Sequence, residues 1–482
     1  MKSFSVLGEK FFFWAGLIVF VSLHLIFYPP IFAFRDEASY LSMAYVFKHG
    51  KFFIDQTAVP FQSWIVSGGH KVFDYPLGMS AYLLPFTLFG WKAVFFAGLI
   101  SHLTGTIYFG KILKLFKIEN PALALLYLFY PAFIFYSRTI MSDIPASVLI
   151  LMGAYYYFKS ETPDWRAGVP FALSLLIRPA GSVYIAPFVL GGIWGTFREG
   201  KPKYLFLFII PLFLSFVLIG LWQYYFYGSV FLSGYSLKFS TIASFLPAYF
   251  CGNFIHYLGS LCLSYPLLVF APLAASKTRR VEIVTSAILG FAFFSFYYFH
   301  DHFQNKLQTS ILGVRFLFPA VSFFLLMYAE ILGAFLKKNS LSVRAGFSGI
   351  LLAFLSLSAL FINAKHQSAL KEQVAMKEAI YNSTGEGSVL IYDTMSAELM
   401  QEAWGKRRYI DWRDGEHRLI DFLNQADFKK GVYLVSRGGR PGKHDLSWVS
   451  WDEMGKIQKD FDIRLKGKSG EVEIYQFYDH LH

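Results

Sequence analysis

Charged side chains stand next to long apolar runs at several places in this chain of 482 residues. They are Arg35-Asp36-Glu37 after the first apolar run, Arg138 and Asp143 around a short connection, Arg178 before a proline, and Arg315 at the start of a late apolar run. A carboxylate can accept a proton from a hydroxyl group, and a guanidinium can hold a phosphate through two parallel hydrogen bonds. These residue types could therefore activate a nucleophile and stabilise a departing phosphate.

Asp36 is the predicted general base, because a carboxylate where the chain leaves a membrane is costly unless it has a role. Glu37 is predicted to orient Asp36 or the reacting hydroxyl. The alternative is that both acids stabilise the first turn of a helix that begins near Ala38, where negative charge is favourable. The two roles are compatible.

The candidate binding residues each have a structural alternative. Asp143 is a candidate for substrate contact, or it simply starts a helix, since Pro145 follows two residues on. Arg178 could bind a phosphate or form an ion pair with Asp143. Arg315 could hold a phosphate and stays charged, although an arginine at a span end can also extend its side chain to the interface. Arg138 is a further candidate for the phosphate.

His300-Asp301-His302 and Tyr40 are the remaining candidates for contact with a substrate. Adjacent histidines at this spacing match no established metal site, so the favoured interpretation of His300 and His302 is that they are polar residues at the interface. Tyr40 lies in a long loop whose aromatic side chains suit stacking on a sugar. They equally suit the aromatic belt of a membrane protein.

The composition predicts a polytopic membrane protein, since 55% of the residues are hydrophobic and 16% are charged. The net charge of +12 belongs to the apolar part, with 26 Lys and Arg against 13 Asp and Glu before residue 363, and 18 against 19 after it. Basic loops that set membrane topology explain this excess, so nucleic acid is not a predicted partner.

Hydropathy predicts eleven membrane crossings with the N-terminus inside. The predicted spans are 11–34, 92–113, 120–136, 143–158, 167–178, 182–197, 204–226, 257–275, 281–299, 315–336 and 343–363. Every predicted inside connection is then basic, as the positive-inside rule requires. The short apolar run Ala81–Gly90 is predicted as an interfacial helix on the outer face.

Two domains are predicted from a change in composition near residue 363. Residues 1–363 form a helical membrane domain with a long first outer loop, 35–91. Residues 364–482 form a small α/β domain, with helices near 365–381, 397–404 and 418–425 and strands near 389–392, 432–435 and 472–477. An odd number of crossings places this domain on the same outer face as Asp36. The fold class is therefore mainly α, followed by a small α/β domain.

The charged motifs occur in an order that resembles the GT-C integral-membrane glycosyltransferases, in the branch of the protein O-mannosyltransferases and aminoarabinose transferases. The motifs are the acidic pair Asp36-Glu37 after the first span, Asp143-x-Pro145, Arg178-Pro179, a Gly228-Ser229 loop, and Arg315-aromatic-x-x-Pro319. The resemblance covers about residues 11 to 363.

The resemblance implies a multi-pass protein of the bacterial plasma membrane that transfers one sugar from a polyprenyl-phosphate donor. The acceptor would be a lipid, a glycan or a protein on the outer face, where the C-terminal domain also lies. Some members share a divalent metal between acids of two outer loops, but two ligands are too few to predict one here. The alternative function is a transporter or lipid flippase, which requires charges within the spans and two related halves.

Overall fold

The computed structural model describes residues 2–55, 64–67, 70–73, 75–118, 120–200, 202–238, 245–274, 281–297, 306–392, 408–411, 423, 428–437, 457, 459–469 and 472–479. The chain is mainly helical and divides into two compact units. The helical unit comprises residues 1–28, 76–82 and 93–366, and the α/β unit comprises residues 29–75, 83–92 and 367–482.

The helices are α1 Lys2–Ile26, α2 Arg35–Lys48, α3 Leu77–Thr87, α4 Phe95–Leu115, α5 Leu125–Leu128, α6 Pro131–Tyr136, α7 Asp143–Lys159, α8 Trp165–Ile177, α9 Ser182–Glu199, α10 Pro202–Tyr227, α11 Gly234–Lys238, α12 Pro247–Ser264, α13 Ala271–Ala274, α14 Val281–Ser295, α15 Lys306–Leu312, α16 Phe318–Lys337 and α17 Leu341–Ser383. Short 3₁₀ turns at Trp91–Val94, Pro121–Ala124, Pro179–Gly181, Leu268–Phe270 and Arg315–Leu317 lead into several of them.

The chain is a multi-pass membrane protein. Within the described residues, five helical stretches are long and apolar enough to cross a membrane, namely Trp91–Leu115, Pro179–Glu199, Pro202–Tyr227, Lys306–Lys337 and Ser342–Ser383. Shorter apolar helices are Lys10–Ile26, Trp165–Ile177 and Val281–Ser295. The total of eleven crossings stays a prediction.

The helices of the helical unit differ in how much of their apolar surface is buried, and α16 is central while α10 is peripheral. Of the most apolar window in Lys306–Lys337, 78% is buried, against 17% in Pro202–Tyr227. The first stretch contains α16, which packs against α4, α7 and α14. The exposed apolar side chains of α10 suit contact with lipid, because a membrane helix needs no protein partner to cover them.

The predicted span 120–136 is broken into a 3₁₀ turn, α5 and α6. Asn120 caps the turn, where its side-chain oxygen accepts a hydrogen bond of 2.9 Å from the Ala122 N–H. Pro131 then forces Tyr130 into an extended conformation (φ −62°, ψ 127°), which ends one helix and starts the next. All the described side chains of α5 and most of those of α6 are buried.

The α/β unit contains two sheets. The strands are β1 Ile54–Asp55, β2 Trp64–Ser67, β3 His70–Phe73, β4 Val389–Tyr392, β5 Arg408–Asp411, β6 Val432–Arg437, β7 Phe461–Ser469 and β8 Val472–Asp479. The first three form an antiparallel sheet in the order β1-β3-β2. The others form a mixed sheet in the order β5-β4-β6-β8-β7, in which β4 pairs parallel with β5 and β6.

Three strands of the mixed sheet lie where the sequence predicted strands, while β1, β2, β3, β5 and β7 were not predicted. The helix predicted at 365–381 is the C-terminal part of α17, which runs without a break from residue 341 to residue 383. The helix predicted at 397–404 lies outside the described residues, and of the helix predicted at 418–425 only Leu423 is described.

The segment between α1 and α2, which was predicted as the end of the first span 11–34, lies beyond the end of α1 at Ile26 and shares a hydrophobic core with the C-terminal tail. Ile31, which is 1% exposed, packs in one cluster with Leu370, Ile380, Leu390 and Ile474. Ala33 lies against the same cluster. The segment that leads into α2 is therefore held by residues more than 300 positions away in the sequence.

Candidate functional site

Three elements of the helical unit place Asp143, Arg178 and Arg315 around one pocket. Asp143 begins α7. Helix α8 ends at Ile177, because a residue before proline is disfavoured in the helical conformation, and Arg178 is extended (φ −150°, ψ 94°). Arg315 opens the 3₁₀ turn that leads into α16, where Pro319 occupies the first turn.

The pocket is lined by charged, aromatic and small residues. They include Asp143, Arg178, Gly181, Tyr184, Arg315 and Phe316. We call this the Arg178 pocket. It contains two guanidinium groups and one carboxylate from described residues, so its lining carries a net positive charge.

Asp143 and Arg178 form an ion pair in which the Asp143 side chain is fully buried and the Arg178 side chain is 21% exposed. Arg178 Nη1 also lies 3.5 Å from the Ser142 hydroxyl oxygen. The pairing that the sequence offered as one alternative for Arg178 therefore exists. It orients the guanidinium by one edge and leaves it partly accessible.

Phe316 contacts both arginines of the pocket. The Cζ atom of Arg178 is 4.8 Å from the centre of the Phe316 ring, and that of Arg315 is 5.0 Å from it. Such distances are typical of cation–π contacts. The Tyr184 hydroxyl donates a hydrogen bond of 2.7 Å to the Phe316 carbonyl, which fixes this backbone. One aromatic ring therefore makes a cation–π contact with each of the two guanidinium groups.

Arg138 has a different environment in the helical unit and is not among the described residues that line the Arg178 pocket. Its side chain is 1% exposed and donates to the carbonyl oxygens of Phe27 and Asn363, the latter at 3.2 Å. Burial lowers the pKa of Arg138 to about 9, so the guanidinium remains protonated at neutral pH. Arg138 links the C-terminal end of α1 to α17.

The candidate base lies in the α/β unit, in the first turn of α2. The Tyr75 hydroxyl donates a hydrogen bond of 2.8 Å to Oδ1 of Asp36. The Tyr75 ring packs against Tyr40 and Phe73, with centroid distances of 5.0 and 5.3 Å. Tyr40, predicted as a contact for the substrate, is 3% exposed and belongs to this aromatic cluster. The cluster fixes the position of the hydroxyl that holds Asp36.

Glu37 is completely buried. Its Oε1 atom accepts hydrogen bonds from the backbone N–H groups of Ala33 and Phe34, at 2.8 and 2.9 Å. These bonds close the segment before α2 onto the first turn of the helix, as a capping acid does. The capping alternative is therefore realised by Glu37, which positions the helix that carries Asp36.

His300, Asp301 and His302 lie outside the described residues. Across the part of the chain that the structure describes, no group of three or more His, Cys, Asp or Glu side chains could hold a metal ion.

Two contacts of the candidate residues were not predicted from the sequence. The hydrogen bond from Tyr75 to Asp36 joins residues 39 positions apart, and no local pattern indicates it. Phe316 was noted only as the aromatic residue of a motif, although an aromatic next to an arginine is a signal for a cation–π contact.

The fold is similar to that of ArnT. The structure of ArnT from Cupriavidus metallidurans in the apo state matches with a TM-score of 0.56 and 12% sequence identity, over 95% of this chain and 97% of that one. The structure of ArnT from the same organism bound to undecaprenyl phosphate matches with a TM-score of 0.57 and 12% identity, over 97% of each chain. No family model and no curated protein matches the sequence. The predicted fold class, mainly α with a small α/β part, is confirmed.

Proposed function

We propose that this protein is an integral-membrane glycosyltransferase that moves a sugar from a polyprenyl-phosphate-linked donor to an acceptor. The observation that supports this most directly is the Arg178 pocket, which two arginine side chains line together with one buried carboxylate. It occurs in a chain whose fold is similar to that of ArnT, one structure of which is bound to undecaprenyl phosphate.

The Arg178 pocket suits the leaving group of such a reaction. As the bond between the anomeric carbon and the phosphate oxygen breaks, negative charge grows on the phosphate. Arg178 and Arg315 are both positioned in advance by Asp143 and Phe316, so little reorganisation is needed when this charge develops. Arginine also remains charged at any physiological pH and can bind two phosphate oxygens at once.

Asp36 is the proposed general base. An acceptor hydroxyl oxygen attacks the anomeric carbon and its proton passes to Asp36, while polyprenyl phosphate departs with the electron pair of the broken bond. Tyr75 holds one carboxylate oxygen in place, and Glu37 fixes the helix that carries Asp36. A single displacement of this kind inverts the configuration at the anomeric carbon.

The α/β unit is proposed to lie on the extracytoplasmic face of a bacterial plasma membrane. The basic connections between the predicted spans support this orientation, as does the odd number of predicted crossings. The acceptor, whether lipid, glycan or protein, would then be outside the cytoplasm.

The test uses the purified full-length protein in lipid nanodiscs with a panel of radiolabelled polyprenyl-phosphate sugars. Release of polyprenyl phosphate should require an acceptor and should fall at least tenfold in Arg315→Ala. Arg198→Ala, which removes an exposed arginine from the end of α9, is the matched control and should retain activity. Movement of lipid phosphate across the bilayer without consumption of any donor would support a transporter or flippase instead.

A further inference from the structure

A second pocket of the helical unit lies at the other end of α16. It is lined by residues of the turn after α4, the C-terminal half of α16 and the start of α17, including Lys117, Asn120, Glu330, Gly333, Lys337 and Arg344. We call it the Lys337 pocket. Arg315 precedes α16 and Lys337 ends it, so about 30 Å of helix separates the two pockets.

One face of α16 forms the floor of the Lys337 pocket. Glu330, Gly333, Ala334 and Lys337 recur at the spacing that places side chains on one side of a helix. The two central residues are small, which leaves space between the flanking charged side chains. A Cβ atom at Gly333 would lie 2.8 Å from Cγ2 of Ile118, so glycine here permits the close approach of the turn after α4.

Lys117 occupies an unusual backbone position in that turn. Its φ is 61°, in the left-handed region that favours glycine. The Ile118 N–H donates to the Leu113 carbonyl at 2.9 Å and the Lys117 N–H to the Lys114 carbonyl at 3.0 Å, the arrangement that commonly ends a helix with glycine. The left-handed backbone at residue 117 therefore disfavours lysine, yet the Lys117 side chain lines the pocket.

The described lining residues give the Lys337 pocket an excess of positive charge. Lys117, Lys337 and Arg344 contribute three cations, and Glu330 contributes one carboxylate. Asn120 is 3% exposed, and its side-chain oxygen Oδ1 accepts a hydrogen bond from the Ala122 N–H, which orients the side-chain amide. The lining therefore combines the exposed side chains of Lys117 and Lys337 with the oriented amide of Asn120 and two small residues of α16.

We propose that the Lys337 pocket binds the phosphate of an anionic phospholipid headgroup, in the leaflet opposite the Arg178 pocket. The pocket lies where α4 and α16 end and α17 begins, which is the depth of headgroups if these helices span the bilayer. Basic pockets between membrane helices on the cytoplasmic side bind such headgroups. The predicted inside connections include this end of the bundle. The proposal does not depend on the proposed glycosyl transfer.

The experiment measures lipid binding by the full-length protein, using native mass spectrometry from micelles that contain phosphatidylglycerol or phosphatidylcholine. The pocket variant is Lys117→Gln/Lys337→Gln/Arg344→Gln. The matched control, Lys114→Gln/Lys159→Gln/Lys338→Gln, removes three cations that follow or end α4, α7 and α16 without lining the pocket. Affinity for phosphatidylglycerol should fall at least tenfold in the pocket variant and less than threefold in the control.

An equal loss in both triple variants would overturn the proposal, because it would show general attraction between charges. Saturation by inorganic phosphate, with no preference for phosphatidylglycerol, would overturn the assignment to a lipid.

A single variant, Lys117→Gly, separates binding from folding. Glycine suits the left-handed backbone, so the melting temperature in phosphatidylcholine should be equal to or higher than that of the wild type. Its affinity for phosphatidylglycerol should nevertheless fall. Unchanged affinity in this variant would contradict a role for the Lys117 side chain.

Discussion

The ion pair between Asp143 and Arg178 offers a way to separate a structural role from a role in binding phosphate. Arg178→Gln leaves the fully buried Asp143 carboxylate without this cation. Removing one partner of a buried pair typically costs about 3–5 kcal/mol of stability, because the remaining charge is not compensated. Asp143→Asn should cost less, since the Arg178 side chain is 21% exposed and can reach water.

The double variant Asp143→Asn/Arg178→Gln should be more stable than Arg178→Gln alone. Two neutral amides can form a hydrogen bond and leave no buried charge. The double-mutant cycle should therefore show a coupling of about 1–3 kcal/mol in the free energy of unfolding. Transfer activity should not recover with stability. Loss of one hydrogen bond to a charged phosphate costs about 1.5–3 kcal/mol, which corresponds to about 10- to 150-fold in kcat/KM.

The assay combines thermal unfolding in nanodiscs, followed by tryptophan fluorescence, with release of radiolabelled polyprenyl phosphate from the donor. Activity is normalised to the folded fraction at the assay temperature. If the double variant regained both wild-type stability and wild-type kcat/KM, the pair would be purely structural. The proposed role of Arg178 at the leaving phosphate would then be refuted.

Three further predictions concern the residues that support the site. Tyr75→Phe removes the hydrogen bond to Asp36 and should lower kcat about tenfold with little change in the donor KM, measured by steady-state kinetics. Ile31→Ala should destabilise the protein by about 2–4 kcal/mol in thermal unfolding, whereas Leu465→Ala, at an exposed position, should change stability by less than about 0.5 kcal/mol. In Arg138→Lys, the single ammonium group cannot donate to both carbonyl oxygens as the guanidinium does, so the melting temperature should fall while activity per folded protein is retained. An unchanged melting temperature would contradict the link from α1 to α17.

Hydropathy predicted many of the helices because their apolar runs are long and each has a basic connection at one end. It failed at 120–136, where apolarity continues but Pro131 breaks the helix, so the local rule for proline should have outweighed composition. Strand β7 was missed although Phe461-Asp462-Ile463-Arg464-Leu465 alternates apolar and polar residues, the period of a strand.

The sequence indicated which residue types form the Arg178 pocket, since Asp143, Arg178 and Arg315 each stand at a helix end marked by proline. It could not indicate that Ile31 joins the core of the C-terminal tail. That contact links residues more than 300 positions apart, and a single apolar side chain in a loop has no period that shows its partner. The hydrogen bond between Tyr75 and Asp36 could not be predicted either, because it joins residues 39 positions apart without a local pattern.

The substitution Asp36→Asn decides whether Asp36 is the general base. Asparagine keeps the size of the side chain and can still accept the Tyr75 hydrogen bond, but it cannot take the proton of an acceptor hydroxyl. With purified, folded protein and a radiolabelled polyprenyl-phosphate sugar, transfer by Asp36→Asn should fall about 100-fold or more, within the range for a lost general base. Donor binding should be retained. Transfer at the wild-type rate would contradict the assignment of Asp36.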